Sequence, residues 1–288
     1  MSIFMKALGS AGLVPTSSGE GFAQPGSFTF PGGEHHLRNI PDFDEPVTWI
    51  ADVRGADPND LVKAALLADV AHQRNDRFVL WLPYAPAARA DRGQPLGVKV
   101  YADLINTMQA ERVVIIDPHS PTVVEHLNHV VVADVLGLID RVMGSGLVRR
   151  HFDGVIAPDK GATERAAVVA KHLDIDLYQA EKDRDFETGR ILGIRMLDRL
   201  PESGGYLVVD DICDGGGTFK LLAQATGLPR EQLALWVTHG IFSGIACHLR
   251  DDYHQIFTTD SHPGHNRVDV ATTIVPTFTS LFTATTRS

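Results

Sequence analysis

The residues best suited to chemistry lie in one stretch, Tyr206-Leu-Val-Val-Asp-Asp-Ile-Cys-Asp-Gly-Gly-Gly-Thr218. The apolar run Leu207 to Val209 reads as a buried strand. It ends in two carboxylates, Asp210 and Asp211. A third, Asp214, opens the glycines Gly215, Gly216 and Gly217, and Thr218 leads into a helical pattern over residues 220–226. A strand, a glycine-rich turn and a helix start can form a phosphate cradle. Glycine permits positive φ and close approach, so backbone N–H groups can converge on an anion where the helix begins. Carboxylates beside such a cradle suit ribose hydroxyls, or a Mg²⁺ ion that offsets phosphate charge. An acidic strand-to-helix turn with no ligand has the same composition, so the loop alone leaves both readings open.

The chain that must position this loop alternates between two periods. Residues 46–52, 77–84, 112–117, 154–158, 176–180, 191–197, 205–211, 233–238 and 255–259 read as strands. Residues 59–72, 97–110, 137–143 and 163–173 read as helices; in the first, Leu61, Ala64, Ala65, Ala68 and Ala71 share a face. Such alternation predicts α/β architecture, with mostly parallel sheets covered by helices and functional loops at the carboxyl ends of strands. The candidate functional segments do begin there, at the strand ends marked by Pro83, Asp117, Asp159, Lys182, Asp211 and His239.

The length of 288 residues accommodates two domains. The expected division is 1–135 and 136–267. With 44% hydrophobic and 22% charged residues, the composition is that of a globular protein. A net charge of −10 argues against a nucleic-acid surface. Cys213 and Cys247 are the two cysteines, too few for a disulfide framework, which suggests a reducing, cytoplasmic setting. No apolar run is long enough for a membrane span, and residues 1–27 lack the ordered regions of a signal peptide.

The 206–218 loop resembles the ribose-phosphate loop shared by type I phosphoribosyltransferases and ribose-phosphate pyrophosphokinases. Further segments, in family order over residues 28–263, favour the pyrophosphokinases. Pro83-Tyr-Ala-Pro-Ala-Ala-Arg-Ala-Asp-Arg92 resembles their ATP-site segment, and Val113-Val-Ile-Ile-Asp-Pro-His119 their metal-binding strand end. Ala157-Pro-Asp-Lys-Gly161 with Arg165, the flexible-loop start Glu181-Lys-Asp-Arg184, and Thr238-His-Gly-Ile-Phe-Ser-Gly244 are similar to three others. Phe30-Pro-Gly-Gly-Glu34 is a degraded form of an adenine-contacting turn.

The resemblance implies two tandem phosphoribosyltransferase-like domains, an N-terminal ATP-site domain and a C-terminal ribose-phosphate domain. Residues 268–288 are expected to return to the first domain, without the helix that follows in the family. The implied reaction is Mg²⁺-dependent transfer of the β,γ-diphosphate of ATP to the C1 hydroxyl of ribose 5-phosphate. Lys182 and Arg184 are implied to act on the transferring phosphates from a loop that closes over substrate. Phe30, Glu34, Arg89, Asp91 and His119 are implied to hold ATP, and His119 and Asp159 the metal. Asp210, Asp211, Asp214, Gly215, Gly216, Gly217 and Thr218 are implied to hold the ribose phosphate. A homodimer or larger homo-oligomer follows from the family, with Phe30 and Glu34 reaching across it. His239 reads as packing, the remaining histidines as surface residues, and Arg92, Lys99, Arg190 and Arg195 as structural or solvated.

The departures from the family pattern are Gly32 for Asp, Ala90 for Gln, Ala162 for Gly and Gly215 for Thr. The loop after Gly93 is short, and the segments that build an ADP/phosphate regulatory site are not recognisable, so inhibition of that kind is not expected. Gly215 removes a hydroxyl and opens space beside the 5-phosphate, which makes ADP-ribose the alternative acceptor. A silent regulatory paralogue is a further reading, opposed by the presence of Lys182, Arg184, His119 and Asp159.

Overall fold

The computed structural model describes residues 3–15, 22–146, 148, 151–184, 191–266 and 273–286. The chain divides into two compact units, Met1–Ala133 together with the C-terminal stretch from Phe282, and Asp134–Leu281.

The first unit is built on a six-stranded sheet of order β2-β1-β5-β6-β7-β8. Its strands are β1 (Ile3–Gly9), β2 (Gly12–Leu13), β5 (Thr48–Val53), β6 (Arg77–Trp81), β7 (Arg112–Ile116) and β8 (Val130–Ala133). Strands β5 to β8 run parallel. β1 lies antiparallel to β5, with Ile3 opposite Val53, and turns back into β2. The N-terminal stretch thus supplies the sheet's outer hairpin. A separate antiparallel ribbon pairs β3 (Gly26–Thr29) with β4 (His35–Arg38).

Three helices belong to this unit: α1 (Pro58–Arg74), α2 (Gly97–Asn106) and α3 (Pro121–His126). The start of α1 is set by Asp57, whose carboxylate accepts the Asn59 N–H, and by Pro58, which has no N–H to satisfy in a first turn. Asn75 ends it in the left-handed conformation, with φ of 57°. The periodic residues Leu61, Ala64, Ala68 and Ala71 are buried, with Leu67 added to that face. They pack in a core with Trp49, Phe78, Leu80 and Val113. Full burial of each large apolar side chain contributes about 1.5–3 kcal/mol.

The second unit carries a seven-stranded sheet of order β11-β10-β9-β12-β13-β14-β15. The strands are β9 (Gly154–Ala157), β10 (Asp176–Arg184), β11 (Ile191–Met196), β12 (Tyr206–Cys213), β13 (Leu233–Gly240), β14 (Gln255–Thr259) and β15 (Thr273–Val275). All are parallel except β11, which folds back antiparallel on β10. The helices are α4 (Leu136–Gly144), α5 (Thr163–Leu173), α6 (Gly217–Thr226) and the part of α7 (Thr277–Thr286) up to Leu281. Every residue of β13 is buried, as a central parallel strand covered on both faces requires. Its buried polar end is satisfied internally: Ser261 bonds His239 Nδ1 at 2.7 Å, and Thr259 donates to the Thr238 carbonyl at 2.6 Å.

The α/β expectation of mostly parallel sheets flanked by helices therefore holds in both units. The strands β1 to β4, β8 and β15 and the helix α3 lie outside the expected elements, and other details differ. β10 runs on to Arg184, because pairing with β11 (Glu181 opposite Arg195, Lys182 opposite Ile194) extends it beyond the expected end at residue 180. Within the C-terminal stretch, Thr273–Val275 joins the second unit's sheet beside β14, while the chain from Phe282 is grouped with the first unit. A helix does follow it: α7 begins at Thr277, whose N–H and hydroxyl both donate to the buried Asp260 carboxylate at 2.8 and 2.9 Å.

Candidate functional site

In the second unit, β9, β10 and β12 are neighbours and parallel, so their carboxyl ends share one edge of the sheet. Asp159 follows β9, Lys182 lies near the end of β10, and Asp210 and Asp211 lie in β12 just before the glycine loop. Asp159 caps a short 3₁₀ turn, with Oδ1 accepting the N–H groups of Gly161 at 2.8 Å and Ala162 at 3.1 Å. Lys182 Nζ sits on Oδ2 of the same carboxylate. Burial works to raise the Asp159 pKa. The hydrogen bond and charge of Lys182, with the two N–H groups, outweigh it and hold the carboxyl below its ordinary value.

Asp210 and Asp211 present two carboxylates to one cation. Arg165, from α5, stands 3.7 Å from Asp210 Oδ1 and 3.6 Å from Asp211 Oδ2. Both carboxylates also accept backbone bonds, Asp210 from the Asp211 N–H and Asp211 from the Ile212 N–H, each at 2.9 Å. Burial and the adjoining Asp211 charge push Asp210 well above the usual carboxylate range, and Arg165 only partly offsets them. Burial, with Asp210 and Asp214 nearby, also raises the Cys213 thiol, so this cysteine is an unreactive core residue.

The glycines of the loop have different reasons. Gly216 precedes α6 at φ of 78°, and a Cβ there would stand 2.8 Å from the Ala246 Cα. Only glycine meets both demands. Gly215 has no such constraint: its φ is outside the left-handed region, and a Cβ would meet nothing within 4 Å. The first N–H groups of α6 have no partner within the helix, which is the property that makes a helix start an anion site.

The Thr238–Gly244 segment folds over this loop. The N–H groups of Ile241 and Phe242 donate to the Cys213 carbonyl at 2.9 and 3.0 Å. Ser243 donates its hydroxyl to Asp214 Oδ1 at 2.5 Å and its N–H to the Asp214 carbonyl at 2.9 Å. Phe242 is held at φ of 50°, a conformation costly for an aromatic residue. Ser243 was legible only as part of a family-like segment. Arg165 was visible in its motif, but its place between two carboxylates needs the fold. The side chain of Arg184, residues 185–189 of the expected flexible loop and Arg190 lie outside the described residues. Arg195 pairs with Glu181 on the hairpin surface at 2.7 Å.

The remaining candidates belong to the first unit. Strands β6 and β7 are adjacent and parallel, so Arg89 with Asp91, and Asp117 with His119, follow neighbouring strand ends. The Ile116 N–H ties the two segments by donating to the Pro83 carbonyl at 3.2 Å. Each segment carries a left-handed non-glycine residue, Ala87 at 56° and Asp117 at 43°. Arg89 and His119 are exposed, and Asp91 faces Arg92 at 3.5 Å. The Ala90 N–H donates to the Ala87 carbonyl at 2.8 Å, and its methyl lies where a side chain on Gly97 would need to go.

Phe30 and Glu34 close the β3–β4 ribbon. The Phe30 N–H donates to the Glu34 carbonyl at 2.8 Å, and the Phe30 ring is about half exposed, stacked 6.0 Å from His36. The Glu34 carboxylate fills the space that a Cβ on Gly32 would need. His119 and Asp159 fall in different units. Among the described residues, no group of three or more His, Cys, Asp or Glu side chains is arranged to hold a metal. No helix there is long and apolar enough to cross a membrane.

The chain is 30% identical over 221 residues to the ribose-phosphate pyrophosphokinase of Thermococcus kodakarensis, covering 74% of this chain and 76% of the relative. It is 29% identical over 249 residues to that of Sulfurisphaera tokodaii, covering 81% and 83%. The Methanopyrus kandleri protein of the same name is 28% identical over 260 residues, covering 84% and 85%. No family model matches. The crystal structure of phosphoribosylpyrophosphate synthetase from Mycobacterium smegmatis superposes with a TM-score of 0.66 at 21% identity, over 88% of this chain and 86% of that one, a likeness of fold.

Proposed function

The chain belongs to the ribose-phosphate pyrophosphokinase family, and we propose that it transfers the β,γ-diphosphate of ATP to the C1 hydroxyl of ribose 5-phosphate, releasing AMP. The observation that carries this reading is the meeting, at one sheet edge, of a glycine cradle, the Asp210–Asp211 pair and the Lys182–Asp159 pair. The helix start at Gly217–Thr218 takes the 5-phosphate on its free N–H groups. Asp210 and Asp211 accept hydrogen bonds from the ribose hydroxyls, and Asp214, fixed by Ser243, braces the loop. These contacts hold the C1 oxygen for attack on the β-phosphorus. The bond from C1 oxygen to that phosphorus forms as the hydroxyl proton passes to solvent, and the bond from the β-phosphorus to the bridging oxygen breaks, that oxygen leaving with AMP. Lys182 and Arg184 stabilise the charge that develops on the transferring group.

In the first unit, Arg89 and Asp91 hold ATP from the segment after β6, His119 from that after β7, and Phe30 and Glu34 from the ribbon. The Asp159 carboxylate is a hard oxygen donor whose Oδ2 is engaged by Lys182 in this structure, and Mg²⁺ is ordinarily held by one or two protein groups with waters and phosphates, so no three-residue cluster is needed. Asp159 and His119 are the residues that would hold it. When bound, Mg²⁺ supplies charge neutralisation on the triphosphate.

One observation favours a second acceptor. A Cβ on Gly215 would meet nothing within 4 Å, so that side of the cradle is open where the family pattern has a Thr side chain, which favours a bulkier 5-substituent such as that of ADP-ribose. Incubation with ATP, Mg²⁺ and either sugar, with products identified by mass, tests both. Ribose 5-phosphate 1-diphosphate with AMP supports the first reading, and ADP-ribose 1-diphosphate with AMP the second. AMP release with neither acceptor sinks both.

A further inference from the structure

The second unit carries a cleft at the opposite end of its sheet from the glycine loop. Helix α6 starts at that loop and runs for ten residues, a length of about 15 Å, to Thr226. Beyond it, next to the beginnings of β12 and β13, lies a cavity of about 570 Å³, within the size range of small-ligand sites. Met196, Leu200, Leu228 and Pro229 supply apolar wall.

The polar groups of the cleft are acceptors. Gln232 is only 7% exposed, and its amide nitrogen is committed to the carbonyls of Glu202 at 2.7 Å and Gly204 at 2.6 Å. Among the described residues its Oε1 has no partner, and it is not sealed from solvent. A buried amide held so that its oxygen alone remains free is a built acceptor. At the C-terminal turn of α6 the Ala223 and Gln224 carbonyls already accept the Thr226 hydroxyl and the Gly227 N–H, which leaves those of Ala225 and Thr226 without i+4 donors, together with the negative end of the helix dipole. Asp198 and Glu202 add two carboxylates against the single cation of Arg199, whose side chain is 92% exposed. An anion, and a phosphate above all, is disfavoured here. A flat cation rich in N–H groups matches both the walls and the acceptors.

The cleft also touches the strand pair that carries Lys182. Met196 ends β11. Two residues on, Asp198 Oδ2 accepts the Gln179 N–H of β10 at 2.9 Å, while the Leu197 N–H donates to the Gln179 carbonyl at 2.8 Å. Lys182 lies three residues along the same strand. A ligand resting on Met196 and Asp198 therefore acts on the base of the hairpin.

From this geometry we propose that the cleft binds a planar amidinium or guanidinium compound without phosphate, and that its occupancy steadies the β10–β11 hairpin. The consequence for catalysis rests on the role of Lys182 proposed above; binding and steadying do not. Benzamidinium is the probe, and benzoate, of the same shape and opposite charge, is the control.

Calorimetric titration of the full chain is expected to give a dissociation constant near or below about 1 mM for benzamidinium, undiminished by saturating ATP, and no heat for benzoate. Ala225→Arg places a guanidinium on the helix end and is expected to weaken binding at least about tenfold. Glu202→Lys, on an exposed side chain, is expected to weaken it about threefold or more. Amide exchange over residues 176–182 is expected to slow on saturation. Absence of binding, equal binding of benzoate, or binding unchanged in both variants overturns the site. Binding with unaltered exchange overturns the link to the hairpin. Slowed exchange with no AMP-release activity on any acceptor sinks the reading of Lys182 and leaves the site standing.

Discussion

Two adjacent glycines of the phosphate loop should respond in opposite ways to substitution. Gly216 sits at φ of 78°, where an L-residue costs about 1–2 kcal/mol. The added methyl would also stand 2.8 Å from the Ala246 Cα and 3.2 Å from its nitrogen. These are backbone atoms that no rotamer change can move, and forced overpacking of this kind costs about 1–3 kcal/mol. Gly216→Ala is therefore expected to destabilise the second unit by roughly 2–4 kcal/mol, the two terms partly relieving each other. At about 2–4 °C per kcal/mol for a unit of this size, that lowers its melting temperature by roughly 4–16 °C. Gly215→Thr meets open space with an ordinary φ, so the change is expected to be neutral or to stabilise by about 0.4–1 kcal/mol through the unfolded chain. Its hydroxyl would add a charge-assisted bond to a 5-phosphate, worth about 1.5 kcal/mol or more, so the KM for ribose 5-phosphate should fall roughly tenfold while turnover of ADP-ribose drops. Differential scanning fluorimetry with acceptor-dependent AMP release reads all of this. A Gly216→Ala protein melting within about 2 °C of the parent, or a Gly215→Thr protein destabilised as much as Gly216→Ala, would refute the reasoning.

Other expectations follow from the same edge of the sheet. Lys182→Ala should lower the rate of AMP release by about 10²–10³ and move the Asp159 carboxyl upward in ¹³C NMR; unchanged turnover would remove Lys182 from the chemistry. Asp159 is depressed in the folded protein, so its contribution to stability is present above its unfolded value of about 3.9 and is lost as pH falls through its lower folded value. The stability gap between parent and Asp159→Asn in urea should accordingly be widest near neutrality and close in acid, and a gap independent of pH would contradict the pairing. Asp210 is the converse case: its folded value is raised, so the contribution it makes below about pH 4 is lost as pH rises through that folded value. Asp210→Asn should thus melt higher than the parent at neutral pH while binding the acceptor less well, and a lower melting temperature there would show that Arg165 outweighs the burial. Ser243→Ala removes the hydroxyl that donates to the Asp214 carboxylate and is expected to raise the acceptor KM about three- to tenfold with little change in kcat, Ser243→Thr restoring it; an effect on kcat alone would place Ser243 elsewhere in the cycle.

The central parallel strands, the helices α1, α2, α4 and α5 and the identity of the loops are legible in the residues alone, whereas the strands β1 to β4, β8 and β15 are not. The helical face of α1, the continuous apolar runs of β6, β7 and β13, and the acidic glycine loop after β12 are local signals. Each follows from side-chain periodicity or from the few residues that tolerate a turn. The alternation of strand and helix carried the parallel sheets with it, because a crossover helix is the ordinary way to join parallel strands. The tertiary structure decided what those loops do to one another. That Lys182 rests in a strand and not in a loop depends on antiparallel pairing with β11, and cross-strand partners leave no local mark. The setting of Arg165 between Asp210 and Asp211, the grip of Ser243 on Asp214, and the freedom of Gly215 beside the constraint on Gly216 all join residues tens of positions apart or depend on such a neighbour. Residue types and spacing report what a segment prefers. Proximity between distant segments, and the burial that shifts a carboxyl such as Asp210, exist only once the strands are stacked side by side.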